Sequence, residues 1–233
     1  MPVFEQCCAD IQAEYQRLGH AIGWRFLSGP RANLERKTEV AFISLNPGGR
    51  DDPPGHPHES QERGSAYLVE SWDGMPPGQS NLQVQVKAMF RELATRKGAA
   101  NYQDLMNNTL MGYFIPFRSP NFESLNRRPE SIAFGQRLWS GIFDHIAPKL
   151  IITIDNQTFK HVSGIIRDGR PGWGEETNRV PTGWGGYMAD ITRFKGERGG
   201  ITIARLPHLS RFGIFTSQKC RAAVPALMDA ITA

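Results

Sequence analysis

The sequence predicts an α/β protein: a three-layer α/β/α sandwich with a central, mostly parallel four-stranded sheet plus an edge hairpin. Three observations predict it. Short, wholly apolar runs alternate with amphipathic helical stretches, as strands buried on both faces require. The apolar runs end in Pro- and Gly-containing turns, which set polar groups at the carboxyl ends of strands, where open α/β sheets bind ligands. The 233 residues suffice to bury one such core, and no repeat, low-complexity segment or linker is visible, so one domain over 1–233 is expected.

The elements follow in order. Phe4, Cys8, Ile11, Tyr15 and Leu18 recur at helical spacing, predicting a helix over 3–18 that Gly19 ends. Val40-Ala41-Phe42-Ile43-Ser44 reads as a buried strand stopped by Asn46-Pro47-Gly48-Gly49. Residues 51–59 hold Pro53, Pro54 and Pro57, too many breakers for helix or central strand, so they form a loop above the strand ends. A helix over 81–95 puts Leu82, Val86, Met89, Phe90 and Leu93 on one face. A second strand spans 110–117, ended by Pro116-Phe117-Arg118-Ser119-Pro120, its end expected beside that of the first. A helix over 132–146 stops before Pro148, an apolar strand covers 150–154, and the next helix carries Phe159, Val162, Ile165 and Ile166. Glycines crowd 168–200 together with Trp173 and Trp184, so no long helix survives there. Strand 187–194, turn 195–200 and strand 201–206 make the edge hairpin. The chain closes with Pro207-His208-Leu209-Ser210-Arg211 and a helix over 217–231.

Composition bounds the function class. A net charge of +4 suits a negatively charged partner without demanding one. No apolar stretch matches a bilayer and the first residues lack signal-peptide character, which predicts a soluble, cytoplasmic protein, expected as a monomer. Cys7, Cys8 and Cys220 have neither disulfide nor metal-site spacing and are expected to be reduced, structural thiols. His56 and His58 form a His-x-His without a clear third ligand, so no metal and no cofactor is expected.

Three strand ends carry unusual turns: Asn46-Pro47-Gly48, Pro116-Phe117-Arg118-Ser119, and Pro207-His208-Leu209-Ser210-Arg211. In this order and separation they resemble the uracil-DNA glycosylase superfamily, in its N-P-G type members, from the first strand to the end of the chain. The resemblance implies a base-excising enzyme with DNA as partner. It implies that Asn46 orients the attacking water and that His208 lies near the group that stabilises the departing base. It sets Gly48 where stricter uracil enzymes carry a Tyr against C5, and makes Leu209 the wedge that enters the duplex. The departures are as informative. Leu206 stands where the final motif should begin, and the stretch is one residue short. Tyr113 stands where an Asn would read uracil's edge, and Tyr67 and Trp72 are the candidates for an aromatic pocket wall.

Base excision from a duplex needs a flipped nucleotide, a pocket, and stabilisation of a sugar cation and a base anion. Pro47, Gly48, Gly49, Tyr67, Trp72, Tyr113 and Phe117 are the expected substrate-binding residues, with Asn46 and His208 as catalytic residues. Arg118, Ser119, Leu209, Ser210 and Arg211 are the expected DNA contacts through charge, hydroxyl or wedge. No Lys occupies these turns, so an abasic site without strand cleavage is expected. The substrate expectation is a C5-modified pyrimidine, boldly hydroxymethylated or glucosylated cytosine of phage DNA, in antiphage defence. Alternatives are uracil or mismatch excision in repair, an inactive nucleic-acid-binding relative, and a metal-dependent hydrolase built on His56 and His58.

Overall fold

The protein is described here by a computed structural model over residues 3–197 and 199–233. Among these residues, six strands form one mixed sheet: β1 Val40–Ser44, β2 Leu110–Tyr113, β3 Leu150–Thr153, β4 Gly174–Pro181, β5 Met188–Gly196 and β6 Gly199–Arg205. Their order is β2-β1-β3-β6-β5-β4. The first four in that order are parallel, while β5 is antiparallel to β6 and β4 to β5. The sheet is therefore larger than the four strands and hairpin read from the sequence. The addition is β4, whose residues are exposed nearly throughout and offer no apolar alternation to detect. It is held by its full-length ladder to β5, with the Thr177 and Thr192 hydroxyls bonded across at 2.8 Å.

Eight α-helices occur among the described residues: α1 Val3–Arg17, α2 Ala32–Glu35, α3 Ala66–Val69, α4 Asn81–Lys97, α5 Tyr102–Asn107, α6 Arg128–Ile146, α7 Asn156–Gly169 and α8 Val224–Thr232. They cover both faces of the sheet, and β1 shows how. Ala41 and Ile43 join one apolar cluster with α1, α6 and α7, while Val40 and Phe42 join the other with α4, α5 and α8. That two-residue period puts an apolar side chain on each face, each worth about 1.5–3 kcal/mol when fully buried for residues of this size. Helix α4 begins where Ser80 and Gln83 make a reciprocal capping box, and ends at Gly98 in the left-handed region. No helix among the described residues is long and apolar enough to cross a membrane. The three cysteines are buried and unpaired.

Two departures matter for the site. The predicted closing helix over 217–231 is a short 3-10 turn, Gln218–Cys220, followed by α8. Pro225 explains this, because inside a helix it would lose a hydrogen bond and clash with the preceding turn, whereas near a helix start its missing N–H costs nothing. The second departure lies beyond β2. The regular strand ends at Tyr113, but Phe114 and Ile115 still donate to the Ser44 and Leu45 carbonyls at 2.7 and 2.8 Å. Residues 23–28 then lie along this side: Arg25 N–H donates to the Pro116 carbonyl at 2.8 Å, and Arg118 N–H to the Gly23 carbonyl at 3.1 Å. Isolated bridges pair Trp24 with Phe117 and Leu27 with Gly112. The end of β2 is thereby covered.

Candidate active site

All four parallel strands deliver their carboxyl ends to one edge, so the turns after β1 and β6 meet there with β3 between them. After β1, Pro47 is buried while Gly48 and Gly49 are exposed. The Asn46 amide donates to the Pro47 carbonyl at 3.1 Å and to the Ser119 carbonyl at 3.4 Å. Both partners are acceptors, so the nitrogen is committed and Oδ1 is the atom left to accept from a ligand. A Cβ at Gly48 would meet nothing within 4 Å, and Gly49 has φ +108°, which favours glycine. The space over Gly48 is open to solvent, whereas a Cβ at Gly49 would meet the Asp51 carbonyl at 3.3 Å and the Arg118 guanidinium at 3.5 Å.

The flank beside β2 is built differently. Arg118 is only 8% exposed; its guanidinium donates to the Gly48 carbonyl, and Nε lies 3.7 Å from Asp52. The Ser119 hydroxyl donates to the Asn121 carbonyl at 2.7 Å, and its N–H to the Pro47 carbonyl at 3.1 Å. Neither matches the phosphate contact predicted for it, because both hold the Asn46 turn from inside. Phe117 is likewise no pocket residue: it is fully buried against His20, with centroids 4.2 Å apart, and against Phe134. Tyr67 is also buried, its hydroxyl 3.2 Å from Ser44 Oγ, and burial pushes that phenol well above its usual range. Trp72 packs edge-on to Tyr67 and donates to Glu70 at 2.9 Å. Tyr113 sits next to Ser44 in register, nearly buried, its pKa raised by that burial.

Beneath these residues lies an ion pair that no motif signalled. Arg25 reaches Glu70 with both terminal nitrogens, at 2.8 and 2.5 Å, and Gln61 and Trp72 donate to the same carboxylate at 2.6 and 2.9 Å. Burial alone would raise the Glu70 pKa, but the Arg25 hydrogen bonds and charge outweigh it and hold the value at about 2. His56 approaches Glu70 at 3.6 Å, whereas His58 pairs with Asp52 at 2.9 Å. The two histidines therefore turn to different carboxylates.

After β6, His208 is partly buried while Ser210 and Arg211 are exposed. The Ser210 hydroxyl lies 2.8 Å from His208 Nδ1, and the Ser210 N–H donates to the same atom at 3.4 Å. A backbone N–H can only donate, so this contact favours the neutral tautomer that accepts at Nδ1 and carries its proton on Nε2. Burial lowers the His208 pKa; the Asp155 charge opposes that and Arg211 adds to it. Asp155, at the end of β3, caps α7 by accepting from Thr158 N–H and hydroxyl, both at 2.7 Å. Its position was legible as an Asp-x-x-Thr cap after an apolar run, though not its closeness to His208. Leu209 differs from its expected exposure: at 1% it belongs to the core cluster with Leu206 and Ile214 and is not presented to a duplex as a wedge would be.

Neither a protein-family model nor a curated protein matches this chain. Roles are accordingly argued from the residues themselves. A cleft of about 480 Å³ opens at the opposite, amino edge among Lys97, Lys149, Arg193 and Lys195, away from all three turns. At the carboxyl edge Asn46 offers an acceptor at the end of β1 and His208 an imidazole at the end of β6, with β3 between them. The two tryptophans of 168–200 part company: Trp173 packs on Gly196 at the amino edge, Trp184 on Gly213 at the carboxyl edge.

Proposed function

We propose that the protein is a monofunctional DNA glycosylase of the uracil-DNA glycosylase type, built as a single α/β/α sandwich, acting on a flipped pyrimidine held at the carboxyl edge. The observation that carries this reading is that one sheet edge holds both Asn46, with its amide nitrogen committed and Oδ1 free, and His208, whose Nδ1 is turned to Ser210. Asn46 Oδ1 accepts from a water and directs a lone pair of that water at the anomeric carbon. The carbon–nitrogen bond breaks with its electron pair going to the base, the water oxygen bonds to the sugar, and the water's second proton leaves to solvent. His208 Nε2–H donates to the base oxygen on which charge accumulates; such donors are typically worth 10²- to 10³-fold in rate. A neutral donor is suited to that task, since it needs no proton removed elsewhere.

The base in this reading is a C5-modified pyrimidine, hydroxymethylated or glucosylated cytosine of phage DNA, and the role is defence. Gly48 supports it, because the space over its α-carbon is open where a side chain would close the C5 side. Tyr113 supports it too, since a phenol cannot pair with a uracil edge as an amide does. The test offers uracil-, hydroxymethylcytosine- and glucosylated DNA at equal concentration and counts alkali-labile sites. Sites in the modified DNAs alone are expected. Robust uracil excision with none from the modified DNAs moves the protein to repair, and salt-dependent binding without any abasic site makes it a binding relative. Asn46→Ala and His208→Ala should each lose at least ~10²-fold in turnover with DNA affinity kept.

A further inference from the structure

Among the described residues, two large apolar side chains are markedly exposed, Tyr187 at 51% and Met75 at 46%. Both stand on the carboxyl edge. Met75 lies in the loop before α4, whose N-terminal half is tied to the segment after His208: Gln85 accepts from Phe215 N–H at 2.9 Å and bonds to the Thr216 hydroxyl. Tyr187 immediately precedes β5, which starts level with the end of β6.

The exposure of Tyr187 is held in place. Thr182, fully buried, donates its N–H and hydroxyl to the Tyr187 carbonyl at 3.2 and 2.7 Å, and Tyr187 N–H donates to the Trp184 carbonyl at 3.1 Å. Gly183, with φ +78°, lies so close to Cys220 that an added Cβ would come within 2.8 Å of its α-carbon, so the turn is clamped onto the 3-10 segment. On that base the Tyr187 and Phe212 rings sit 4.3 Å apart, with Trp184 edge-on to Phe212 at 6.1 Å. Phe212 N–H donates to the His208 carbonyl at 3.2 Å, which joins the aromatic step to the candidate catalytic turn. Residues 206–228 contain Arg211, Lys219 and Arg221 and no Asp or Glu. Lys219 stands 3.3 Å over the Trp184 ring, and Arg211 is exposed.

An exposed ring held by its turn, stacked on a segment that carries cations and no carboxylate, with the nearby Asp190 paired to Arg205 and Arg179, is chemistry for stacking an unpaired base while cations meet its phosphates. We propose that Tyr187, backed by Phe212, stacks on an unpaired base of the DNA strand next to the flipped nucleotide, taking the place that buried Leu209 does not fill. The inference rests on the DNA reading above but not on base excision. Its test measures Kd against salt for a short single strand and the matching duplex, using wild type, Tyr187→Ala, Tyr187→Phe and Arg211→Ala. Tyr187→Ala should weaken single-strand binding roughly ten-fold at every salt concentration, with the salt slope unchanged and the duplex less affected. Tyr187→Phe should retain wild-type affinity, and Arg211→Ala should flatten the slope. Equal affinity of Tyr187→Ala and wild type overturns the proposal, as does a wild type that binds no single strand at low salt. If wild type binds and Tyr187→Ala loses affinity while no DNA yields abasic sites, the stacking surface stands and the glycosylase reading falls. A urea midpoint for each variant separates lost stacking from lost folding.

Discussion

At the end of β2, Arg118 is almost wholly buried and spends its charge on the Gly48 carbonyl and Asp52; at the end of β6, Arg211 is exposed. The neighbouring serines differ the same way, Ser119 bonded inward to Asn121 and Ser210 lying on the surface against His208. Residue type does not distinguish the two turns. Cover does: residues 23–28 run along the β2 side and close it, while on the β6 side Arg211 and Ser210 stay exposed beside the step of Tyr187 and Phe212. The β2 flank is thus a scaffold that fixes Asn46, and in the glycosylase reading proposed above the β6 flank is the surface that meets DNA.

The sharpest way to break this contrast is to attack the scaffold. Glu70→Ala leaves Arg25 charged, buried and unpaired, and should cost about 3–5 kcal/mol in urea denaturation, whereas an equivalent loss from Arg211→Ala would erase the distinction. The same pair predicts acid sensitivity. The Glu70 pKa is depressed to about 2 in the folded protein from an ordinary 4.5, so its contribution is present above pH 4.5 and disappears as pH falls toward 2. About 3 kcal/mol should be lost across that window in wild type and not in Glu70→Gln, read from urea midpoints at successive pH values.

Leu209→Ala comes next. As a core residue it should cost about 2–5 kcal/mol of stability while leaving the ratio of single-strand to duplex binding alone. A stable variant with a selective duplex defect would restore the wedge role to Leu209.

A smaller effect sharpens the β6 side. Arg211→Ala removes a like charge from His208, so the ring's titration should move up toward 6.5, and Asp155→Asn should move it down. Both are readable in the His208 NMR titration, and shifts of opposite sign to these would misplace the two charges. Because the folded value lies below the ordinary one, the unfolded chain takes the proton first, and this residue's contribution to stability falls as pH drops through about 6.5.

The least effect on stability is expected of Gly48→Tyr. Its backbone lies outside the left-handed region and its α-carbon faces open space, so folding should change by no more than about 0.5 kcal/mol. Loss of turnover on C5-substituted DNA, without a matching loss of stability, is the expected readout; unchanged turnover would mean that the C5 side does not face Gly48.

The extent of β1 and the existence of β3 and of the long helices α1, α4, α6 and α7 were legible in the sequence because apolar periodicity reports which side of an element is covered, although α6 begins at Arg128, four residues before its expected start. So were the turns at Asn46 and His208, since Pro and Gly interrupt a strand wherever they occur. Strand β4 was not, because an exposed edge strand is specified by its partner's ladder and not by its own side chains. Nor could sequence assign Phe117, Arg118 and Leu209 to the interior. Each follows from what packs over a strand end, in two cases a segment some ninety residues earlier in the chain, and burial of that kind is a property of contacts between distant segments. Local chemistry determined which residue types stand at the carboxyl edge. Tertiary cover decided which of them remain free to touch a ligand.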